Sequence, residues 1–207
     1  MDKYQENILP KFYEEEGEKV GSGYEAMMDF NLRWLLRCAD DKYKGVNPSL
    51  IHEYAKHTVF FLIYGNNDNK EDVFAYDCRE ISKEFKVERI NVFRQFHSID
   101  LLVEVDIKDK TESNTYILNI ENKFDASVTQ KQLEKYRKDI EENEYKGKEI
   151  TIRNLCIFNE DSRYEKGMQE ICKNNNYKFL NLQEIAEFAK MEKKTGNALF
   201  DEFWFHF

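Results

Sequence analysis

The chain has 207 residues, of which 41% are hydrophobic and 34% are charged, and its formal net charge at pH 7 is −9. A chain of this length and composition can bury one core, so we expect a single domain over residues 1–207. The negative charge argues against a protein whose whole surface grips nucleic acid, because phosphate neutralisation dominates that kind of binding.

The N-terminal part is predicted to be helical, because its apolar residues recur at helical spacing. In the last helix of this part, Phe74, Cys78, Ile81 and Phe85 follow that spacing. The predicted helices cover residues 3–18, 23–38, 48–64 and 70–85.

Three strands are predicted next, at residues 88–95, 98–107 and 115–123. In the second strand the odd positions from 99 to 107 are all apolar, whereas Asp100, Glu104 and Asp106 occupy even positions. This alternation indicates a half-buried strand with Asp100 on its polar face.

The third strand also has two different faces. Its apolar face consists of Tyr116, Leu118 and Ile120, and the other face carries Ile117, Asn119, Glu121 and Lys123. Residues 108–114 are polar and predict a loop that joins the second and third strands as an antiparallel hairpin. Such a hairpin could bring Asp100 alongside Glu121.

After the third strand the pattern alternates between helix and strand. We predict a helix over 130–145, a strand over 151–158, a helix over 163–175, a strand over 177–180 and a helix opened by Asn181 or Gln183. This order predicts an α/β fold with a mixed central sheet flanked by helices. The aromatic tail, residues 199–207, is expected to pack on the core, with an oligomer contact such as a homodimer interface as the alternative.

The acids Asp100 and Glu121 point to metal chemistry. Two carboxylates that converge on neighbouring strands repel each other unless a hard cation lies between them, and oxygen ligands suit Mg²⁺ or Mn²⁺. Such a cation can polarise a phosphoryl oxygen and activate a water, and Lys123 could orient that water or stabilise charge. The alternative is a solvated strand face with an ordinary acid–base pair, because Glu-x-Lys is common in so charged a chain.

The arrangement of Asp100 followed by Glu121-Asn122-Lys123 resembles the signature of the PD-(D/E)XK nuclease superfamily, an acid on one strand and Glu/Asp-x-Lys on the next. Gln132-Leu-Glu-Lys-Tyr136 resembles the Gln-Leu-x-x-Tyr helix of one uncharacterised bacterial branch of that superfamily. The similarity extends over roughly residues 25–185.

The N-terminal helix from Glu25 to Trp34 resembles a helix of the same branch, with departures. The branch usually has a His-Ser pair where this chain has Met28-Asp29. It also often has an arginine where this chain has Ser98, and it has a Leu-Thr-Pro-x-Gly segment in place of residues 157–161.

The resemblance implies a Mg²⁺- or Mn²⁺-dependent nuclease acting on DNA, with a role in prokaryotic defence or DNA maintenance. It implies a restriction-endonuclease-like core at 87–185, a helical part at 1–86, and a C-terminal helix and tail at 186–207. The alternative is a nuclease-like scaffold without catalysis, used as a binding or regulatory subunit.

The resemblance also assigns roles to individual residues. The implied metal ligands are Asp100, Glu121, the backbone carbonyl of Asn122 and Glu25, with Glu53 as the other candidate for the last position. The implied catalytic residues are Asp100, Glu121, Lys123, Gln132 and Tyr136.

Several of these residues have ordinary structural alternatives. Thr129 and Gln132 fit a capping box at a helix start, which is compatible with a site role for Gln132. Tyr136 shares a helical stripe with Leu133 and Ile140, as in a packed helix face. For Glu25 and Glu53 the alternative is an exposed helical glutamate.

Basic residues could line one face of a nuclease despite the acidic surface. The two clusters are Lys131, Lys135, Arg137 and Lys138, and Arg89, Arg94 and Lys123. Their alternative role is pairing with acids on helix faces, as Glu134 and Lys138 would do.

Other chemistries lack a motif. The four histidines show no zinc-ligand spacing, and His97 near Asp100 is a general-base candidate or an ordinary exposed side chain. The eight glycines form no phosphate-binding loop.

The four cysteines are dispersed and indicate reduced thiols in a cytoplasmic protein. The apolar run 58–64 is too short to cross a bilayer. The charged N-terminus does not resemble a signal peptide.

Overall fold

A computed structural model gives the structure of the protein, and it describes residues 8–11, 23–65, 78–109, 112–124, 126–159 and 165–205. The described chain forms a five-stranded mixed sheet with helices on both faces. The predicted α/β architecture is therefore confirmed.

The elements follow the predicted order. Before the sheet come α1 (Tyr24–Arg37), a short 3-10 helix (Asp41–Tyr43), α2 (Ser49–Tyr64) and α3 (Cys78–Glu84). The strands are β1 (Lys86–Phe96), β2 (Ile99–Asp109), β3 (Glu112–Lys123), β4 (Thr151–Phe158) and β5 (Lys178–Asn181). Between β3 and β4 lies α4 (Gln130–Lys138), which continues into a π-helical segment (Asp139–Glu144). Between β4 and β5 lies α5 (Glu165–Asn174), and α6 (Leu182–Phe188) and α7 (Ala198–Phe205) follow β5.

The strands lie in chain order across the sheet. The first three pair in antiparallel fashion, and β3, β4 and β5 pair in parallel, with helices as the crossover connections. Leu101 lies opposite Ile120, so the next residues in the ladder, Asp100 and Glu121, come side by side on the other face. The strand order places β3 at the centre of the sheet.

The hairpin between β2 and β3 is longer than predicted. Lys108 pairs with Ser113 and Asp109 pairs with Glu112, so most of the expected loop 108–114 is paired strand. An exposed antiparallel ladder accepts polar side chains on both faces, and the polar composition of this segment therefore did not reveal its strand conformation.

The larger core lies between the sheet and the helices α1, α2, α6 and α7. The odd-numbered apolar side chains of β2 from Leu101 to Ile107 and the predicted apolar face of β3 both contribute to it, whereas Ile99 packs in the cluster that contains Tyr136. The aromatic tail packs there through Phe200, Phe203 and Trp204, with Phe200 ring-stacked at 6.1 Å from Tyr54, whereas Leu199 is exposed. Residues 206–207 lie outside the described part.

The opposite face of the sheet is covered by α4 and α5. Leu133 of α4 and Cys172 of α5 pack against Cys156 of β4. A neighbouring cluster joins Tyr136 and Ile140 to Ile117 of β3. The polar face of β3 therefore faces helices rather than bulk solvent.

The predicted helix over 3–18 is wrong at residues 8–11, the only part of it that the structure describes, because these residues are not helical. Pro10 lacks a backbone N–H and disfavours a helix interior. The segment instead lies against α1, where Trp34 Nε1 donates to the Pro10 carbonyl at 2.8 Å and Arg37 donates to the Lys11 carbonyl at 2.8 Å.

The other helix predictions agree with the described residues, except that α4 gives way to the π-helical segment before 145. Residues 70–77 and 163–164 of two predicted helices lie outside the described part. No helix in the described ranges has the length and apolar character needed to cross a membrane.

Candidate active site

The candidate site lies where β3 ends, between the start of β2 and the first turn of α4. Glu121 and Lys123 project toward α4, and Asn122 between them projects toward α1. The Glu121 side chain is only 1% exposed. A buried carboxylate of this kind needs charged or hydrogen-bonding partners.

The two oxygens of Glu121 have different environments. Oε1 accepts a hydrogen bond from Lys123 Nζ at 2.7 Å and another from Gln132 Nε2 at 2.6 Å. Oε2 is buried and receives no hydrogen bond from any residue in the described part of the chain. One oxygen is thus held in place. The other can accept a ligand when the carboxyl is ionised, and the protonated carboxyl can donate to Asp100.

Asp100 lies beside Glu121 at the start of β2. Its Oδ2 accepts from the Asn122 backbone N–H at 2.9 Å, and its Oδ1 accepts from Gln95 Nε2 at 3.3 Å. These bonds fix the carboxylate against the end of β3.

Asp100 and Glu121 share one environment, which raises the pKa values of both carboxyl groups. Burial, followed by the charge of Asp100, raises the pKa of Glu121 to about 8. Burial also raises the pKa of Asp100, although its hydrogen bonds to Asn122 and Glu121 and the charge of Lys123 oppose the shift. A buried and a half-buried acid in contact favour a shared proton or a bridging cation over two free charges.

Lys123 supplies a positive charge beside Glu121. Burial lowers its pKa, but the charge and hydrogen bond of Glu121 outweigh this effect, and the pKa of Lys123 is raised overall. The ammonium group therefore stays charged next to the two acids.

Gln132 serves both the helix start and the site. Its backbone N–H donates to Thr129 Oγ1 at 3.3 Å, which is one half of the expected capping box. Its side chain donates to Glu121 and, at 3.2 Å, to the Tyr136 hydroxyl. Tyr136 is itself buried, so it belongs to the packed helix face as well as to this hydrogen-bond chain.

Of the two glutamates considered for the N-terminal helices, Glu25 reaches the site. Its Oε1 accepts from the Phe124 backbone N–H at 3.4 Å, and its charge raises the pKa of Asp100 and of Lys123. Glu53 lies exposed on α2.

Asp29 is a buried acid that sequence reasoning missed. Its Oδ1 accepts from Asn122 Nδ2 at 2.6 Å. Burial, followed by the charge of Asp100, raises the pKa of Asp29 to about 7. The signal was present in the sequence, since Asp29 lies four residues after Glu25 and therefore on the same helix face.

The remaining candidates make contacts outside the site. Glu104 accepts from the Tyr145 hydroxyl at 2.8 Å, and Asp106 accepts from Arg89 at 2.7 Å and from Thr115 at 2.8 Å. His97 is exposed in the turn between β1 and β2, with its ring 4.5 Å from that of Phe96. Arg137 of the predicted basic cluster pairs with Glu141 at 3.2 Å.

The donor chemistry suits a hard divalent cation. No group of three or more His, Cys, Asp or Glu side chains in the described ranges is arranged to hold a metal. The two carboxylates of Asp100 and Glu121 nevertheless offer oxygen donors, and the buried Glu121 Oε2 lacks a partner. Mg²⁺ is commonly held by one or two carboxylates together with water, and these residues fit that pattern.

A comparison with protein families matches residues 32–201 of the chain to the PD-(D/E)XK nuclease superfamily. No curated protein and no solved structure matches the chain. The matched span includes Asp100, Glu121, Lys123, Gln132 and Tyr136, whereas Glu25 and Asp29 precede it.

Proposed function

The chain belongs to the PD-(D/E)XK nuclease superfamily, and from this premise we propose that it hydrolyses phosphodiester bonds of DNA with a divalent cation and with water as the nucleophile. The observation that carries the proposal is the state of Glu121. One of its oxygens is held by Lys123 and Gln132, and the other is buried beside Asp100 without a hydrogen-bond donor from the described chain. A cation at that oxygen would satisfy both acids.

The residues that would hold Mg²⁺ or Mn²⁺ are Asp100, Glu121 and the backbone carbonyl of Asn122, with Glu25 as a further carboxylate. The cation, when bound, would polarise the phosphoryl oxygen and neutralise charge in the in-line displacement. The all-oxygen donor set supports these two cations over zinc.

Lys123 has the charge and position for transition-state stabilisation. Its ammonium group has three hydrogens, and the bond to Glu121 uses one of them. The others can orient the attacking water or donate to a phosphate oxygen.

Gln132 and Tyr136 complete the set of positioned groups. Gln132 donates one amide hydrogen to Glu121 and the other to the Tyr136 hydroxyl, which fixes the direction of the carboxylate. The Tyr136 hydroxyl accepts that bond and keeps its own proton to donate, so it can contact a phosphate oxygen.

The test is a cleavage assay on plasmid DNA, single-stranded DNA and RNA with Mg²⁺, Mn²⁺ or EDTA. We expect cation-dependent cleavage of DNA that falls by about 100-fold or more in Lys123→Ala, because a preorganised charge at the reacting phosphate is lost. Lys173→Ala, which removes an exposed lysine on α5, is the matched control and should cleave normally. Unchanged cleavage by Lys123→Ala would contradict the assignment.

A second candidate is a non-catalytic scaffold used for binding or regulation. It is favoured by the absence of a three-residue metal cluster among the described residues and by the direct ion pair between Lys123 and Glu121. Absence of cleavage on every substrate, together with no heat of Mg²⁺ or Mn²⁺ binding, would favour this candidate. Cation-dependent DNA cleavage would support the nuclease. The proposed role in prokaryotic defence or DNA maintenance rests on the family resemblance.

A further inference from the structure

Two aromatic rings stack at the edge of the candidate site. Tyr24 is the first residue of α1, and Phe124 directly follows Lys123 at the end of β3. Their ring centroids lie 4.6 Å apart with an interplanar angle of 16°. Glu25 ties the two elements together by accepting the Phe124 backbone N–H at 3.4 Å. The stack is therefore next to the residues that would contact the scissile phosphate.

The stack is open to solvent on the Tyr24 side. Tyr24 is 59% exposed, and Met27, one turn further along α1, is 44% exposed. Most other aromatic side chains in the described ranges lie in the core, and Phe93, 42% exposed on β1, is the other exposed one. A partly buried ring beneath an exposed one forms a flat surface on which a third ring can stack.

The acidic residues around the site are the reason why an aromatic stacking surface would contribute to substrate binding. Four acids, Asp100, Glu121, Glu25 and Asp29, lie near two basic residues, and the chain carries a net charge of −9. Of the basic residues, Lys123 is paired with Glu121, and the charge of Arg94 acts on Asp29. Neutralisation of substrate phosphates is therefore a small source of affinity here. Base stacking on an aromatic ring strengthens binding by about fivefold or more per base and tolerates any base.

We propose that the Tyr24–Phe124 stack binds an unpaired nucleobase of the substrate strand, next to the phosphate that is cleaved. The inference rests on the proposed nuclease function and adds the substrate class: single-stranded DNA, or the unpaired end of a duplex. A base inside a duplex has both faces covered by its neighbours, so only an unstacked base can offer a face to Tyr24.

The test measures binding apart from cleavage. An oligodeoxynucleotide carrying a fluorescent adenine analogue, whose emission is quenched by stacking, is titrated with the protein in Ca²⁺ as single strand, as blunt duplex and as duplex with a single-stranded tail. We expect quenching with the single strand and the tailed duplex. Tyr24→Ala and Phe124→Ala should each weaken binding of these two probes by about fivefold or more. Blunt-duplex binding should change little.

Two further variants separate stacking from folding. Tyr24→Phe keeps the ring and should bind normally, whereas Tyr24→Leu keeps apolar bulk without a ring and should lose the quenching. Leu199→Ala removes another exposed apolar side chain, 60% exposed on α7, and should leave binding unchanged. Circular dichroism verifies that each variant is folded.

Two results would overturn the inference: single-strand binding by Tyr24→Leu equal to that of the unaltered protein, or an equal loss of affinity for all three probes. Failure of the nuclease proposal gives a different result, since quenching at Tyr24 would then occur without any cleavage in Mg²⁺ or Mn²⁺. Cleavage that persists with no effect of the Tyr24 variants would reject the stacking subsite alone.

Discussion

In the proposed reaction, Glu121 is the residue on which the chemistry of the site depends. Its side chain is buried, and one carboxylate oxygen lacks a hydrogen-bond donor among the described residues. Burial without full pairing is costly for a charged group, so the carboxyl prefers to hold a proton at neutral pH. This preference makes the cation-free protein sensitive to pH.

The stability of the cation-free protein should fall as the pH rises toward 8. The ordinary pKa of Glu121 is 4.5 and its folded value is about 8, so the folded state binds more protons than the unfolded state between these values. The stabilisation from protonated Glu121 is complete below its ordinary pKa and is lost through its folded pKa. Asp29, with a pKa raised to about 7, contributes in the same direction.

Glu121→Gln should reduce this pH dependence and raise the free energy of unfolding near pH 8 by on the order of 2 kcal/mol, since glutamine does not ionise. Part of the slope should remain because Asp29 still titrates. Urea denaturation in EDTA at several pH values measures both quantities. An identical pH slope in Glu121→Gln and the unaltered protein would show that Glu121 titrates normally.

Cation binding should release protons, because a cation at Asp100 and Glu121 replaces the proton that they share. We expect about one proton released per cation near neutral pH, and tighter binding as the pH rises toward 8. Calorimetric titration of Mn²⁺ in two buffers with different ionisation enthalpies gives the proton count. Equal heats in both buffers would mean that no proton is displaced.

At the scale of elements, α4 combines a structural cap with a site residue. Thr129 caps the helix start, whereas the Gln132 side chain points to Glu121 and Tyr136. The two roles belong to different side chains, so they can be separated by substitution.

Thr129→Ala should lower the free energy of unfolding by about 1 kcal/mol with little effect on cleavage. Gln132→Ala should instead lower cleavage by about 10- to 100-fold, because Glu121 loses a partner that orients it, with a smaller effect on stability. Thermal denaturation and initial cleavage rates distinguish the two variants. The opposite pattern would assign Gln132 to the cap alone.

The elements around the site could be predicted because their sequence patterns are local. The alternation in β2 and β3 places Asp100, Glu121 and Lys123 on one face, and the hairpin follows from the order of the strands. The helical stripe of Leu133, Tyr136 and Ile140 likewise packs as expected.

Contacts between distant elements could not be predicted in the same way. The bond between Asp29 and Asn122 depends on how α1 lies across the sheet, which no local pattern specifies. The strand pairing within 108–114 and the π-helical segment after α4 also depend on neighbouring elements. The sequence therefore predicted that Asp100 and Glu121 come together, but not the contact between Asp29 of α1 and Asn122 on the other face of the sheet.

At the scale of the whole molecule, the net charge of −9 limits how the proposed DNA substrate could be held. Arg89 and Arg137 are paired with Asp106 and Glu141, so part of the predicted basic surface is already neutralised. We expect few phosphate contacts outside the site.

Binding of single-stranded DNA should accordingly depend only weakly on salt. With about one to three phosphates neutralised, the slope of log K against log salt concentration should lie near −1 to −2. Fluorescence anisotropy in Ca²⁺ at increasing NaCl measures this slope. A slope much steeper than −3 would reveal a basic surface that contacts many phosphates.

Asn122 links the two faces of the sheet within a single residue. Its backbone N–H donates to Asp100 on one side, and its side chain donates to Asp29 on the other. The amide proton of Asn122 should therefore have an NMR chemical shift that changes when Asp100 or Asp29 changes its charge or its ligand. One resonance in the spectrum would then follow both cation loading and the charge of Asp29 on α1, without a reporter group attached to the protein.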